Sequence, residues 1–161
     1  MRVVAYSIKS FEKEPLAIAN HKKHDITLIS NELTKETAVY ATGKEAVIVF
    51  NETLLSASII NLLADLGVKY IATRSTSTDH IDTEAAAARG LKVANVPLKA
   101  VNNKTEREFS LALAVETILN LDKWQGKKCL GDSCVCSRSC DQMSIAFSEN
   151  LKNLSNEKPA P

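Results

Sequence analysis

Short apolar runs alternate with helical patterns along residues 1–97 of the chain. Val3–Ile8 reads as a first strand, Asp25–Ser30 as a second, and Ala46–Phe50, apolar throughout, as a third. Val68–Thr73 and Lys92–Val96 supply a fourth and a fifth, the last ended by Pro97, which has no N–H for a ladder. Between them Glu12–Asn20 reads as a helix and residues 35–42 as a short helical or irregular piece. Leu55, Ile59, Leu62, Leu63 and Leu66 recur at helical spacing, with Ser56 placed as N-cap and Gly67 as the stop. Thr83–Arg89 is an alanine-rich helix ending at Gly90. Apolar strands separated by helices imply a parallel sheet covered on both faces. The expected class is therefore α/β: a flavodoxin-like three-layer domain with a five-stranded parallel sheet, order 2-1-3-4-5.

After Pro97 the pattern changes. Asn103–Glu106 and Thr105–Glu108 are overlapping capping boxes, so a long helix should follow. Leu111, Val115, Ile118, Leu121 and Trp124 are expected to form the stripe that packs on the sheet, with Gly126 as its end. Residues 126–161 are polar, close on Pro159-Ala160-Pro161, and read as a loosely ordered tail with one short amphipathic helix over Ser144–Leu154. Residues 1–125 are thus expected to form one unit and residues 126–161 a tail.

Composition narrows the partners. A net charge of +1 supplies no basic field, so neither nucleic acid nor an anionic membrane is expected. No apolar run approaches the ~20 residues of a membrane span, and the N-terminus opens directly on a strand, so a cytoplasmic protein is the expectation. All four cysteines, Cys129, Cys134, Cys136 and Cys140, fall late in the chain. Four thiolates can close a zinc site, and C-x-C suits Cu(I). The paired C-x2-C spacing of structural zinc sites is absent, so no metal is assigned and a reduced thiol tail is the simpler reading.

The glycines are equally informative. Gly43, Gly67, Gly90, Gly126 and Gly131 are the five present, and no two are separated by a single residue. Neither a G-x-G-x-x-G dinucleotide turn nor a Walker loop can be written. Parallel sheets bind ligands at the carboxyl ends of their strands, which here carry Ser7, Lys9, Asn51, Thr53 and the loop Arg74–Asp79. That loop is rich in hydroxyls and amides and could hold a small carboxylate or phosphate. As a polar turn leading into a helix cap it requires no ligand. His80 is read as an exposed turn residue in preference to a general base, and His21 and His24 as solvated members of a charged loop.

Residues 1–97 resemble the substrate domain of D-lactate dehydrogenases, in the D-2-hydroxyacid dehydrogenase family. The likeness rests on Arg2–Lys9 with Phe11–Glu14, His24–Asn31, Ala64–Ser75, Thr78–Asp82 and Gly90–Pro97. Ile118–Gln125 resembles the last helix of those enzymes, which returns to the substrate domain. The resemblance implies that the family's NAD-binding Rossmann domain is missing and that residues 98–109 form the junction in its place. It further implies that the family's catalytic Arg, Glu and His have no counterparts here: no catalytic residue and no cofactor are expected on this chain. What would remain is a vestige of the substrate-carboxylate site, at Ser75, Thr76, Ser77, Thr78 and Lys99. Ser77 stands where the family has Gly, and Lys99 where it has Tyr. A domain without dehydrogenase activity is the first expectation. A weak binder of 2-hydroxy or 2-oxo acids, or a partner-binding protein that is monomeric or oligomerises unlike the family, is the alternative.

Overall fold

In a computed structural model of the chain, residues 1–135 are described. Five parallel strands, β1 (Arg2–Ala5), β2 (Asp25–Leu28), β3 (Ala46–Val49), β4 (Tyr70–Thr73) and β5 (Lys92–Ala94), form one sheet in the order β2-β1-β3-β4-β5. The register aligns Val4 with Val47, Val47 with Ile71, and Ile71 with Val93. Helices α1 (Ser10–Asn20), α2 (Ala57–Asp65), α3 (Thr83–Ala88), α4 (Leu98–Val101) and α5 (Glu106–Gln125) connect or follow the strands. The piece expected near residues 35–42 is a 3-10 turn over Thr37–Ala41.

Successive strand side chains point to opposite faces, and the two faces differ in size. One face presents Val4, Val47, Val49, Ile71 and Val93, and packs against Ile60 and Leu63 of α2 and Ala86 of α3. The other presents Val3, Ile48 and four alanines, Ala5, Ala46, Ala72 and Ala94. Small residues on the sheet let α1 and α5 sit close, and the helices fill the layer with Leu16, Ile118, Leu121 and Trp124. Trp124 stacks on Tyr70 with ring centroids 4.8 Å apart. All four residues of β3 are buried, as the central strand of a doubly covered sheet must be.

Helix ends follow local chemistry. Of the two overlapping capping boxes, α5 uses Thr105 and Glu108: the Thr105 amide donates to Glu108 Oε2 at 2.9 Å, and the Glu108 amide donates back to Thr105 Oγ1 at 3.5 Å. Asn103, the rejected cap, lies in the left-handed region with φ 58°. Gly67 takes φ 91° just past α2, a conformation in which any Cβ would be strained. At the opposite end of the sheet, Asp122 in the last turn of α5 accepts from His24 Nε2 at 2.9 Å and from Lys23 Nζ at 2.7 Å. Burial raises the Asp122 pKa, but the hydrogen bonds from Lys23 and His24 outweigh it and hold the carboxyl below its ordinary range.

Three expectations require correction at the level of the fold. The stripe on α5 is rotated: Ile118, Leu121 and Trp124 are buried with Ala114 and Thr117, whereas Leu111 and Val115 face outward. His24 is buried against Asp122 instead of solvated. Residues 127–135, expected in a loose tail, return to the sheet: Leu130 and Ser133 are buried, Asn95 N donates to Ser133 O at 3.2 Å, and Val135 N donates to Val93 O at 3.3 Å. Cys134 thereby bridges Ala94 antiparallel at the β5 edge. The amphipathic segment over residues 144–154 lies outside the described residues.

Leu121 fills the alanine-lined layer with no exposed surface, so Leu121→Ala is expected to cost ~2–5 kcal/mol. Thr105→Ala, which removes only the side-chain half of a cap, is expected to cost about 1 kcal/mol. Urea denaturation of the two variants checks both the sizes and their order.

Candidate carboxylate site

One arginine organises the carboxyl end of the sheet. Arg74 follows β4 and is 2% exposed. Its Nε donates to Glu12 Oε1 at 3.1 Å and its Nη1 to the Tyr6 carbonyl at 3.2 Å. Nη2 completes the set with longer bonds to Glu12 Oε2 and the Ser7 carbonyl. The guanidinium lies 5.3 Å from the centre of the Phe50 ring. One side chain thus joins the ends of β1, β3 and β4 to the first turn of α1. Burial pushes the Arg74 pKa below its ordinary value while Glu12 opposes the shift, and a guanidinium stays charged at any pH of interest. Glu12 is held in turn by accepting from the Lys9 amide at 2.9 Å.

Beside it, Ser7 adopts φ 55°, a strained angle for a residue with a side chain. Its amide donates to the Asn31 carbonyl at 2.9 Å, and its hydroxyl lies 3.4 Å from that of buried Thr53. Asn51 is exposed, and Lys9 pairs with Glu52 at the rim.

The loop after β4 is fixed at its start. The Ser75 carbonyl accepts from Val96 N at 2.9 Å, and the Thr76 carbonyl from Asn95 Nδ2 at 2.8 Å. Within the loop, hydroxyls take alternate amides: Ser77 N donates to Ser75 Oγ and Asp79 N to Ser77 Oγ, both at 3.1 Å. The amides of Thr76 and Thr78 have no partner among the described residues. Both residues are half-buried, so the loop offers two unpaired N–H donors at the carboxyl edge of a parallel sheet. Ser77 does not adopt a positive φ, so the chain passes this position without a glycine.

The other singled-out residues take different places. Lys99, on α4, is exposed, and its ammonium is engaged by Asp132. The Asp132 hydrogen bond and charge raise the Lys99 pKa, so the lysine is committed to the returning segment and not to the loop. His80, expected to be exposed, is buried, with Nε2 3.1 Å from the Thr73 hydroxyl. Burial pushes its pKa below the ordinary value, against the pull of Asp79, so a neutral imidazole is the folded form. Cys129 is exposed and accepts from the Gly131 amide at 3.5 Å, whereas Cys136 and Cys140 lie outside the described residues. Among the described residues no three His, Cys, Asp or Glu side chains are grouped to hold a metal. Sequence reasoning missed Glu12 and Asn95, which hold Arg74 and the loop. Their partners are distant in sequence, and no local spacing marks them.

Arg74→Ala strands the Glu12 carboxylate, whose side chain is 15% exposed, and is expected to cost ~3–5 kcal/mol. Chemical denaturation should show a smaller loss for the double variant Arg74→Met with Glu12→Gln, which leaves no unpaired charge. His80 binds its proton less readily folded than unfolded. Stability should therefore fall as pH drops below the ordinary value of 6.5 towards the folded pKa. In thermal melts at pH 7.5 and at pH 5.5, His80→Gln should lose less stability on acidification than the parent.

Comparison with known proteins bears on these features. The sequence model described as the catalytic domain of D-isomer specific 2-hydroxyacid dehydrogenase matches residues 3–160. A 2-hydroxyacid dehydrogenase homolog of Zymomonas mobilis is 36% identical over 116 residues, 71% of this chain and 35% of that protein. A D-lactate dehydrogenase of Lactiplantibacillus plantarum is 30% identical over 105 residues, covering 63% of this chain and 31% of its own length. The solved apo-structure of D-lactate dehydrogenase from Escherichia coli superposes with a TM-score of 0.59 at 36% identity, covering 60% of this chain and 31% of that one. The matched stretch thus spans about a third of these relatives. At 116 residues the Zymomonas match is longer than residues 1–97, so the likeness continues past Pro97. No helix among the described residues is long and apolar enough to cross a membrane. With a family model spanning nearly the whole sequence and D-lactate dehydrogenase structures sharing the fold, the chain belongs to the D-isomer specific 2-hydroxyacid dehydrogenase family.

Proposed function

We propose that this chain is a substrate-domain unit of the family that binds small 2-hydroxy and 2-oxo carboxylates weakly through the Ser75–Thr78 loop, and that alone it does not turn them over. The observation that carries the reading is the pair of unpaired amides at Thr76 and Thr78. Two unpaired N–H donors suit the two oxygens of a carboxylate, and bonding the first two loop carbonyls to Val96 N and Asn95 Nδ2 holds the start of the loop. Lys99 contributes long-range charge at most, since Asp132 holds it.

The residues present do not fit a nicotinamide dinucleotide. Pyrophosphate binding of the Rossmann kind needs glycine where a strand turns into a helix, so that backbone can approach the phosphates. The turns after β1, β3, β4 and β5 are Tyr6–Lys9, Phe50–Ser56, Arg74–Asp82 and Asn95–Pro97, and none contains glycine. Gly67 and Gly90 instead follow α2 and α3. No hydride-transfer step is therefore derived for this chain. Of the nearby residues, His80 is buried against Thr73, and Arg74 is engaged by Glu12 and the Tyr6 and Ser7 carbonyls.

Titration with pyruvate and D-lactate, followed by amide NMR, tests the reading. Saturable shifts at Thr76 and Thr78 in the millimolar range are expected, with no NADH consumption above the rate of buffer. Flat titrations remove the binding proposal, and NADH oxidation proportional to protein removes the claim of inactivity. Ser77→Gly frees the Asp79 amide by deleting its acceptor. A further hydrogen bond of ~0.5–1.5 kcal/mol should tighten the acid about 2- to 12-fold.

A further inference from the structure

The outer side of α5 carries an apolar row. Ala114, Ile118, Leu121 and Trp124 are buried on the sheet, while Leu111, Val115 and Leu119 lie on the other side, 37%, 38% and 38% exposed. These three are spaced four residues apart, so they form one of the inclined i±4 ridges by which helices pack on one another. The ridge reads the same in both directions, leucine, valine, leucine, and is centred on Val115. At one end Leu111 lies beside α1, where it walls a hollow of about 200 Å³ with Pro15 and Ile18, lined further by Glu14, Arg107 and Glu108. At the other end Leu119 is an exposed leucine about two turns away. Ile18 and Phe11, 58% and 65% exposed, extend the apolar face across α1.

We propose that this face is the contact between two copies of the chain, related by a two-fold axis through Val115. Such an axis runs the two α5 helices past each other in opposite directions. It sets Val115 of one copy on Val115 of the other, and Leu119 of each on Leu111 of the other. Leu119 of each copy then fills the hollow beside Leu111 and Ile18 of the other, a space suited to a branched aliphatic side chain. The face thus carries both a side chain and the hollow for its counterpart, placed symmetrically about one residue, which is what a self-complementary contact requires. Ridges of the i±4 kind interdigitate at a crossing angle of about −50°, so the helices diverge away from Val115 and carry the like charges Glu108 and Asp122 at the two ends of the ridge apart. Area agrees. Phe11, Ile18, Leu111, Val115 and Leu119 together expose roughly 400 Å² of apolar surface, about half of the ~800 Å² that each side of a standard interface buries. Little more than half of such an interface is non-polar, so the charged rim of the hollow supplies the remainder. The proposal does not rest on the carboxylate reading: Phe11 also borders the hollow that Arg74 lines, but assembly and acid binding are read by different measurements.

Sedimentation velocity of the full chain tests it. Over a range of about 1 to 500 μM the expected result is a monomer–dimer equilibrium with its midpoint in the micromolar range. Leu111→Lys and Leu119→Glu, both at exposed positions, should each weaken the dimer at least about 10-fold, because each places unpaired charge in the contact, while circular dichroism stays unchanged. Mixed in equal amounts, the two variants should dimerise again. The two-fold axis sets the introduced lysine against the introduced glutamate at one end of the ridge and leaves leucine on leucine at the other. A monomer over the whole range would overturn the proposal and leave the face to residues 136–161 or to a different partner. Single variants that dimerise like the parent, or a mixture that stays monomeric, would overturn it as well.

Discussion

The carboxyl end of this sheet depends on a single buried charge. Arg74 reaches the carbonyls of Tyr6 and Ser7, the carboxylate of Glu12 and the face of Phe50, so the ends of β1, β3 and β4 and the first turn of α1 converge on one planar group. A buried guanidinium is tolerable only when its donors are answered, and here carbonyls and one carboxylate answer them. The consequence is rigidity directly below the loop that follows β4. Arg74 is held by Glu12 and two carbonyls, and Val96 and Asn95 bond the first two loop carbonyls, which ties down the backbone that leads to the amides of Thr76 and Thr78. The donors of the proposed site are thus backbone groups, next to a side chain already engaged by Glu12 and two carbonyls.

The rest of the architecture follows from the asymmetry of the two sheet faces. The valine-rich face takes short helices, and the alanine-rich face takes α1 and the long α5. Closing that second face requires α5, which is why the family likeness to the strands is insufficient to describe the unit. The segment after α5 then returns to the β5 edge, where Asp132 engages Lys99 and Leu130 enters the same layer as Trp124.

Much of this was legible in the sequence. Strand order and helix ends followed from the period of the apolar runs and from Ser56, Gly67, Gly90 and the Thr105–Glu108 box, because those signals are local. The loop was legible as a polar turn at a strand end. The features that escaped are those set by long-range pairing. His24 and His80 read as solvated because their neighbours in sequence are charged, yet Asp122 and Thr73, 98 and 7 residues away, bury them. Leu111 and Val115 fit the same helical period as Ile118, and only the close approach of α1 decides which side of α5 meets the sheet. Lys99 read as a ligand for anions because Asp132, its partner, lay in a stretch taken for a loose tail.

The proposal is that the loop after β4 binds a carboxylate, on a chain whose strand-end turns carry no glycine to admit a dinucleotide. Titration of the full-length protein with NADH, followed by the fluorescence of the reduced nicotinamide and by equilibrium dialysis, tests it most directly. The account predicts no saturable binding over the micromolar range, with or without pyruvate present. One NADH retained per chain at micromolar concentration would contradict it.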